Sequence, residues 1–256
     1  MSGCDSYFLE DQEKLGQGSF GVVYKVHVYG ANKVKSVYAR KYFDLSADFD
    51  TYAREIADLR QRFNVEIKTQ CILNAINRKC IAPIVMFDTR GDNPYFIMEL
   101  ADMSLLDAIR VGMDDSEKEY AVKDIINGVI TIHNNHYLHR DLNPKNILKY
   151  PDGSYKITDF GLVKDLNALR AEIKTKFVGG MGTDGYMPLE VADSGMFSIQ
   201  SDIYSVGKII SDIYNAPSPA IKQIIRKCLE CFPEDRYEKA EDLMDDFENA
   251  IYVEAA

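Results

Sequence analysis

The stretch Tyr137-Leu138-His139-Arg140-Asp141-Leu142-Asn143-Pro144-Lys145-Asn146-Ile147-Leu148, followed by Asp159-Phe160-Gly161, constrains this chain more than any other feature. Between its two parts, Pro151-Asp152-Gly153-Ser154 is a turn signal that predicts a hairpin of Asn146 to Tyr150 against Tyr155 to Ile157. Asp141, Asn146 and Asp159 in it offer carboxylate and amide oxygens from a loop, a hairpin and the segment beyond it. The chain is long enough to fold around them. Its 256 residues, 46% hydrophobic and 27% charged, suit a globular chain with a substantial core. That profile excludes disorder, collagen and a small disulfide-stapled scaffold.

Lys and Arg number 30 against 40 Asp and Glu, a formal net charge of −10, which argues against general nucleic-acid binding and against attachment to anionic membrane. The imbalance is local. Residues 1–98 carry 13 basic and 12 acidic side chains, whereas residues 99–256 carry 17 and 28, so the halves read as separate lobes. No apolar run approaches the roughly 20 residues of a membrane span. The start, Met1-Ser2-Gly3-Cys4-Asp5, has neither a basic leader nor an apolar signal core, so a cytoplasmic location is expected. Five irregularly spaced cysteines predict reduced thiols. Cys228 and Cys231 form a lone C-x-x-C pair, which reads as core thiols on a helix rather than as a zinc site lacking its other ligands.

The first part reads as strands: Asp11 to Gly16 leading into a glycine turn, Gly21 to Tyr29, Val37 to Phe43, Ile84 to Asp88 and Tyr95 to Leu100. Between them, Asp44 to Ile76 has helical periodicity, as one long helix or two shorter ones, with Asp44 or Ser46 available as a cap. Past Leu100 helices dominate. No repeat, low-complexity segment or Pro/Gly/Ser-rich linker divides the chain.

Gly16-Gln17-Gly18-Ser19-Phe20-Gly21 is a G-x-G-x-x-G run. Glycines let backbone approach phosphate oxygens and permit positive φ. A dinucleotide site would want a helix after the run; here a strand follows, which fits a hairpin lid over a nucleotide. Lys41 ends the next strand and could reach phosphates if a carboxylate held its ammonium, although alone it reads as a surface lysine. Glu66 is the favoured carboxylate and Glu55 its rival. Phosphoryl transfer also needs a carboxylate to accept or orient the attacking hydroxyl, and oxygen ligands for Mg²⁺. Asp141, Asn146 and Asp159 supply these at H-R-D-x-x-x-x-N and D-F-G spacing.

With these motifs in this order, the chain resembles a eukaryotic-type protein kinase catalytic domain from about Tyr7 to Ile251, one domain occupying residues 1–256. The resemblance implies an α+β, bilobal fold: a β-rich N-lobe (about 7–98) with one main helix, a hinge (about 99–102) and a larger helical C-lobe (about 103–251). It implies ATP and Mg²⁺ as cofactors and a protein substrate. Carried over by position, Lys41 binds phosphates and pairs with Glu66, Asp141 is the catalytic base, and Asn146 and Asp159 bind the metal. Gly16, Gly18 and Gly21 form the phosphate lid, Val23, Ala39 and Leu148 sandwich adenine, Met98 is the gatekeeper, and backbone groups of Glu99 and Ala101 bond the base. Glu190 pairs with Arg236, and Asp202 anchors the catalytic loop from beneath. Such C-lobe features separate protein kinases from aminoglycoside- and choline-type phosphotransferases.

Three departures qualify the resemblance. Asn143 stands where Ser/Thr kinases carry lysine, with Lys145 two residues on, as is more common in tyrosine kinases. Pro188-Leu189-Glu190 replaces Ala-Pro-Glu, and the long span from Lys41 to Glu66 suggests an extra helix or turn around Asp48 to Arg60. Thr183 favours Ser/Thr specificity, while Asn143 and Lys145 leave dual specificity or a tyrosine kinase open. Arg140 implies control by loop phosphorylation, with Thr175 as the candidate site or merely an exposed loop residue. A pseudokinase or scaffold is the alternative function. With no second domain in the chain, control by a partner or by its own loop is expected. Of the spaced histidines His133, His136 and His139, His139 reads as part of the packed catalytic-loop turn and His133 as helix core, which argues against a metal site. The acidic second part, including eight acidic residues against two basic between Glu234 and Glu248, reads mostly as a solvated helix face. It also suggests a basic protein substrate.

Overall fold

A computed structural model describes residues 2–4, 7–18, 21–30, 34–44, 53–91, 93–166 and 185–255, and all that follows concerns these. The chain opens with β1 (Ser2–Cys4), β2 (Tyr7–Gly18), β3 (Gly21–Tyr29) and β4 (Lys35–Phe43). Helix α1 (Ala53–Ile76) precedes β5 (Ile84–Asp88) and β6 (Tyr95–Glu99), and the six strands form one antiparallel sheet ordered β1-β2-β3-β4-β6-β5.

Register decides which side chains meet. Val23 lies opposite Lys41, Lys41 opposite Phe96, and Ala39 opposite Met98. Directly opposed residues share a face, and side chains alternate along a strand. Val23, Ala39, Lys41, Phe96 and Met98 therefore line one side of the sheet. There Ala39, Phe96 and Met98 pack with Phe63 and Ile67 of α1, whose Phe63 ring lies 5.4 Å from that of Phe96. The other side buries Leu9, Val26, Val28 and Ile97 in a separate cluster.

Helix α1 is a single helix. Residues 53–60 form its first turns rather than an additional element, Asp44 lies outside any helix, and Ser46 falls outside the described residues. The third and fourth turns, with Phe63 and Ile67, pack on the sheet while Leu73, further along, joins the large core beyond. One helix thus touches both cores.

That larger part contains β7 (Met103–Ser104), α2 (Leu105–Val111), α3 (Asp115–Asn134), β8 (Tyr137–Leu138), β9 (Ile147–Lys149), β10 (Tyr155–Ile157), β11 (Lys164–Asp165), α4 (Leu189–Ser194), α5 (Ile199–Ile213), α6 (Pro219–Cys228) and α7 (Ala240–Ala255). The β9–β10 hairpin closes with Gly153 at φ 81°, a conformation glycine adopts freely. Helix α3 is buried along most of its length because β8, β10, α5 and α7 all pack against it. A helical sheet-capped lower part and a β-rich upper part with one helix make this a bilobal α+β fold.

Cys228 is fully buried at the end of α6, but Cys231 lies beyond the helix and is exposed, so the pair is not two core thiols on one helix. The glycine run also differs from expectation. Strand β2 continues through Gly16 to Gly18, and Gly16 and Gly21 are not among the glycines with positive φ. Gly21 is required for space: a Cβ there would come 2.6 Å from the Tyr42 carbonyl oxygen.

Helices α5 and α6 approach closely at Gly207, where a Cβ would overlap the Cβ of Cys228. Since a Cβ cannot swing away, Gly207→Ala must push the helices apart. We expect it to destabilise the fold by about 1–3 kcal/mol, measured by urea denaturation. An unchanged midpoint would contradict the close approach.

Candidate active site

Lys41 sits at the centre of the sheet's inner face, and its ammonium donates to Glu66 Oε1 at 2.6 Å and to Asp159 Oδ1 at 3.2 Å. The choice between Glu66 and Glu55 is thereby resolved for Glu66, which α1 presents beside Phe63 and Ile67. Burial alone would lower the Lys41 pKa, but Asp159 and Glu66 outweigh it and hold the ammonium above its usual value. Burial raises the Glu66 carboxyl above the ordinary range, with Lys41 opposing it. Asp159 is also penalised by burial, yet Lys41 holds its carboxyl below the usual value. Its side chain remains 39% exposed. Asp159 has φ 62°, in the left-handed region that costs a non-glycine residue energy. Phe160, behind it, is fully buried against the His139 ring at 5.0 Å, so the turn is fixed by packing.

Beneath the loop, Asp202 near the start of α5 is 2% exposed. Its carboxylate accepts from the backbone N–H groups of His139 and Arg140, both at 2.9 Å, and from His133 Nε2 at 3.0 Å. Burial pushes the Asp202 carboxyl up, but these donors, led by His133, more than compensate and hold it below the usual value. Three fixed donors on one carboxylate clamp the backbone at Arg140, itself at φ 73°. His139 uses its ring nitrogen Nε2 on the Thr158 carbonyl at 3.1 Å. Among the described residues no cluster of His, Cys, Asp and Glu could hold a metal ion in the sense suggested by the three spaced histidines.

Asp141 follows. Asn146 Nδ2 donates to its carbonyl at 2.9 Å and its Oδ2 at 3.0 Å, while Asn143 Nδ2 donates to the same carbonyl at 3.0 Å and to Oδ1 at 3.2 Å. Asn143 is therefore turned inward at 1% exposure, not towards a phosphate as its place in the motif suggests. Lys145 is exposed at the cleft wall.

These groups face a cleft of about 850 Å³ between the sheet and the helical part. Gly16, Gly21, Val23, Ala39, Lys41, Glu66, Met98, Glu99, Ala101, Asp141, Asn146, Leu148 and Asp159 all line it. Gly18 pairs with Gly21 at the hairpin end. The cleft also has walls the motifs did not identify: Arg62 and Phe63 from α1, Thr158, and the carboxylates of Asp102 and Asp107 beyond β6. Arg62 lies one helical turn before Glu66, so helical periodicity could have found it. No motif marks Asp102 or Asp107.

Further down, Arg236 is buried and grips Glu190 with its two terminal guanidinium nitrogens, Nη1 to Oε1 at 2.7 Å and Nη2 to Oε2 at 3.1 Å. It also donates to the carbonyls of Glu230 and Gln200. Tyr186 donates its hydroxyl to Asp212, and its carbonyl accepts from the Ser205 hydroxyl at 2.9 Å. Thr175 and Thr183 lie outside the described residues.

Because the folded-state pKa of Asp202 is depressed, its stabilisation is fully present above the unfolded value near 4 and is lost as pH falls through the folded value. Asp202→Asn should therefore cost about 3 kcal/mol at pH 7. The parent–variant gap in urea denaturation should stay level down to about pH 4 and narrow below it. A gap that widens on acidification would refute this assignment of the carboxylate.

Comparison with known proteins agrees with this architecture. The protein kinase domain family matches residues 9–221. Cysteine-rich receptor-like protein kinase 21 of Arabidopsis thaliana is 30% identical over 210 residues, covering 78% of this chain and 28% of that protein. A G-type lectin S-receptor-like serine/threonine-protein kinase of the same plant is 30% identical over 222 residues, covering 83% of this chain and 25% of its own length. The chain thus spans less than a third of the curated relatives it matches. Sequence match, bilobal architecture and a lysine–glutamate pair above a strained Asp-Phe-Gly turn converge, and the chain belongs to the protein kinase domain family.

Proposed function

We propose that this chain is an active protein kinase domain that transfers the γ-phosphoryl group of ATP to Ser or Thr hydroxyls of protein substrates, its own included. The observation that carries the reading is the convergence of Lys41, Glu66, Asp141, Asn146 and Asp159 on one cleft. Lys41 binds phosphate oxygens, and the 2.6 Å bond to Glu66 keeps its ammonium in the cleft when the nucleotide is absent. Val23, Ala39 and Leu148 bracket the adenine, Met98 limits the depth of its site, and the backbone at Glu99 and Ala101 bonds its edge.

The donor set suits a hard divalent cation. Asp159 turns a partly exposed carboxylate to the cleft, and Asn146 spends its amide nitrogen on Asp141, which makes its oxygen the ligating atom. Mg²⁺ bound there would neutralise charge on the phosphates. Asp141 accepts or orients the proton of the attacking hydroxyl. Its amide partners fix the carboxylate's direction, so positioning and electrostatics do most of the work.

Ser/Thr preference rests on Thr183 and on the serine/threonine kinase named among the relatives, while Asn143 and Lys145 favour a broader hydroxyl specificity. Free thiols at Cys71, Cys80, Cys228 and Cys231 support a reducing, cytoplasmic setting. Among the described residues no helix is long and apolar enough to cross a membrane.

With Mg-ATP, the purified protein should label itself or a generic substrate, and Asp141→Asn or Asp159→Asn should abolish labelling. Undiminished labelling in those variants would sink the assignment of sites, whereas none in the parent would transfer weight to a binding scaffold. Mass spectrometry of the labelled chain would report residue type and whether Thr175 is modified.

The substrate is basic on this reading. Most of the acidic residues between Glu234 and Glu248 are solvent-facing side chains of α7 and the turn before it, but Asp102 and Asp107 are exposed on the cleft wall itself. A lysine-rich peptide should be phosphorylated faster than a glutamate-rich one, with an advantage that shrinks as salt is raised. A faster rate on the acidic peptide would overturn this.

A further inference from the structure

We propose that Asn143 is a positioning residue of the phosphoryl-transfer reaction: its buried amide fixes the Asp141 carboxylate, so that position 143 acts through hydrogen bonding rather than charge. The inference rests on the kinase reading above.

Each polar atom of Asn143 has a defined use. Nδ2 donates to the Asp141 carbonyl and to Asp141 Oδ1, and Oδ1 accepts from the Lys145 backbone N–H at 3.0 Å. The opposite amide orientation would set a donor against the Lys145 N–H and an acceptor against two Asp141 oxygens, so the network permits one orientation. Asn143 has extended backbone, φ −159° and ψ 164°, and caps the 3₁₀ turn Pro144–Asn146. The cap brings Asn146 round to the other side of Asp141, where Nδ2 takes Oδ2. The two carboxylate oxygens therefore each receive an amide N–H, and each amide is anchored a second time on the Asp141 carbonyl. Rotation of the carboxylate about its last bond would break both contacts.

A group at 1% exposure that makes three hydrogen bonds cannot reach out to a phosphate without leaving buried partners unpaired. A cation is available elsewhere on the cleft wall, at Lys145, whose backbone the Asn143 cap holds. Orientation of Asp141 and presentation of Lys145 thus depend on the same amide.

Asn143→Ser separates positioning from structure without adding a charge, because its hydroxyl can still cap the turn but is too short to donate to the Asp141 carboxylate. We expect kcat on a peptide to fall about a hundredfold, with KM for Mg-ATP within about twofold of the parent. The melting temperature should stay within a few degrees. Asn143→Gln, which keeps the amide but lengthens the side chain, should recover part of the loss, and Asn143→Ala should lose both stability and turnover. A kcat in Asn143→Ser within threefold of the parent would overturn the proposal, as would a loss expressed only in KM or melting temperature. The clamp can also be read without turnover, which keeps it distinct from the kinase reading. In side-chain amide NMR of ¹⁵N-asparagine-labelled protein, the Asn143 amide protons should exchange slowly in the parent, and the one released from the carboxylate should exchange faster in Asp141→Ala, where the backbone carbonyl still holds the other. Fast exchange in both would refute the clamp even in an active enzyme, and slow exchange in an inactive parent would uphold it while the kinase reading fell.

Discussion

A buried ammonium joins the two parts of this molecule. Lys41 comes from the middle of the sheet, Glu66 from the helix packed against that sheet, and Asp159 from the segment that leaves the helical part. Neither Lys41 nor Glu66 would be tolerable alone at this depth, since an isolated buried ion pays a desolvation cost of several kcal/mol, and the partly exposed Asp159 adds a second carboxylate to the ammonium. Together they satisfy one another only when strand, helix and turn are all in place. The polar requirement therefore sets the spacing of the cleft, and the apolar contacts of Phe63, Ile67 and Phe96 hold the helix where the requirement can be met. Because α1 also contributes Leu73 to the larger core, a shift of that helix would be felt on both sides of the cleft.

The same economy recurs below. Asp202 receives three donors and so pins a loop whose backbone at Arg140 is held at positive φ, a conformation that persists only when its surroundings over-determine it. Phe160 plugs the space behind Asp159, which is strained in the same way. Arg236 spreads its donors over Glu190 and neighbouring carbonyls and secures α4. At Arg140 and Asp159 the interactions that offset the strain lie one layer deeper. Asp159 and the loop before Asp141 are thus presented by backbone that cannot relax, a condition for positioning to contribute to rate.

Much of this was legible in the chain. Strands Gly21–Tyr29 and Ile84–Asp88 coincide with the runs of β-branched and aromatic residues, because alternation along a strand is written directly into sequence. The Pro-Asp-Gly-Ser turn gave away the β9–β10 hairpin for a similar local reason. Helix boundaries were less legible: periodicity from Asp44 to Ile76 could not separate one helix from two, because it reports a buried stripe and not a start. Cys231 looked like a partner of Cys228 on a helix face, but α6 ends at Cys228, and three residues beyond a helix end no longer share its face.

Sequence by itself determined the chemistry on offer: a lysine, two aspartates and an asparagine at intervals that a loop and a hairpin must reconcile, in a chain able to bury a core. It also determined the local elements that carry them, since strand alternation and turn residues depend on near neighbours. Tertiary structure decided which carboxylate holds Lys41, where the sequence only favoured Glu66 over Glu55, because the contact depends on how the helix is rotated against the sheet. It decided too that Gly21 is needed for clearance from the Tyr42 carbonyl rather than for positive φ. And it turned Asn143 from a missing charge into a buried clamp, because the use of an amide depends on which donors and acceptors surround it, and those come from its folded neighbours and not from its position in a motif.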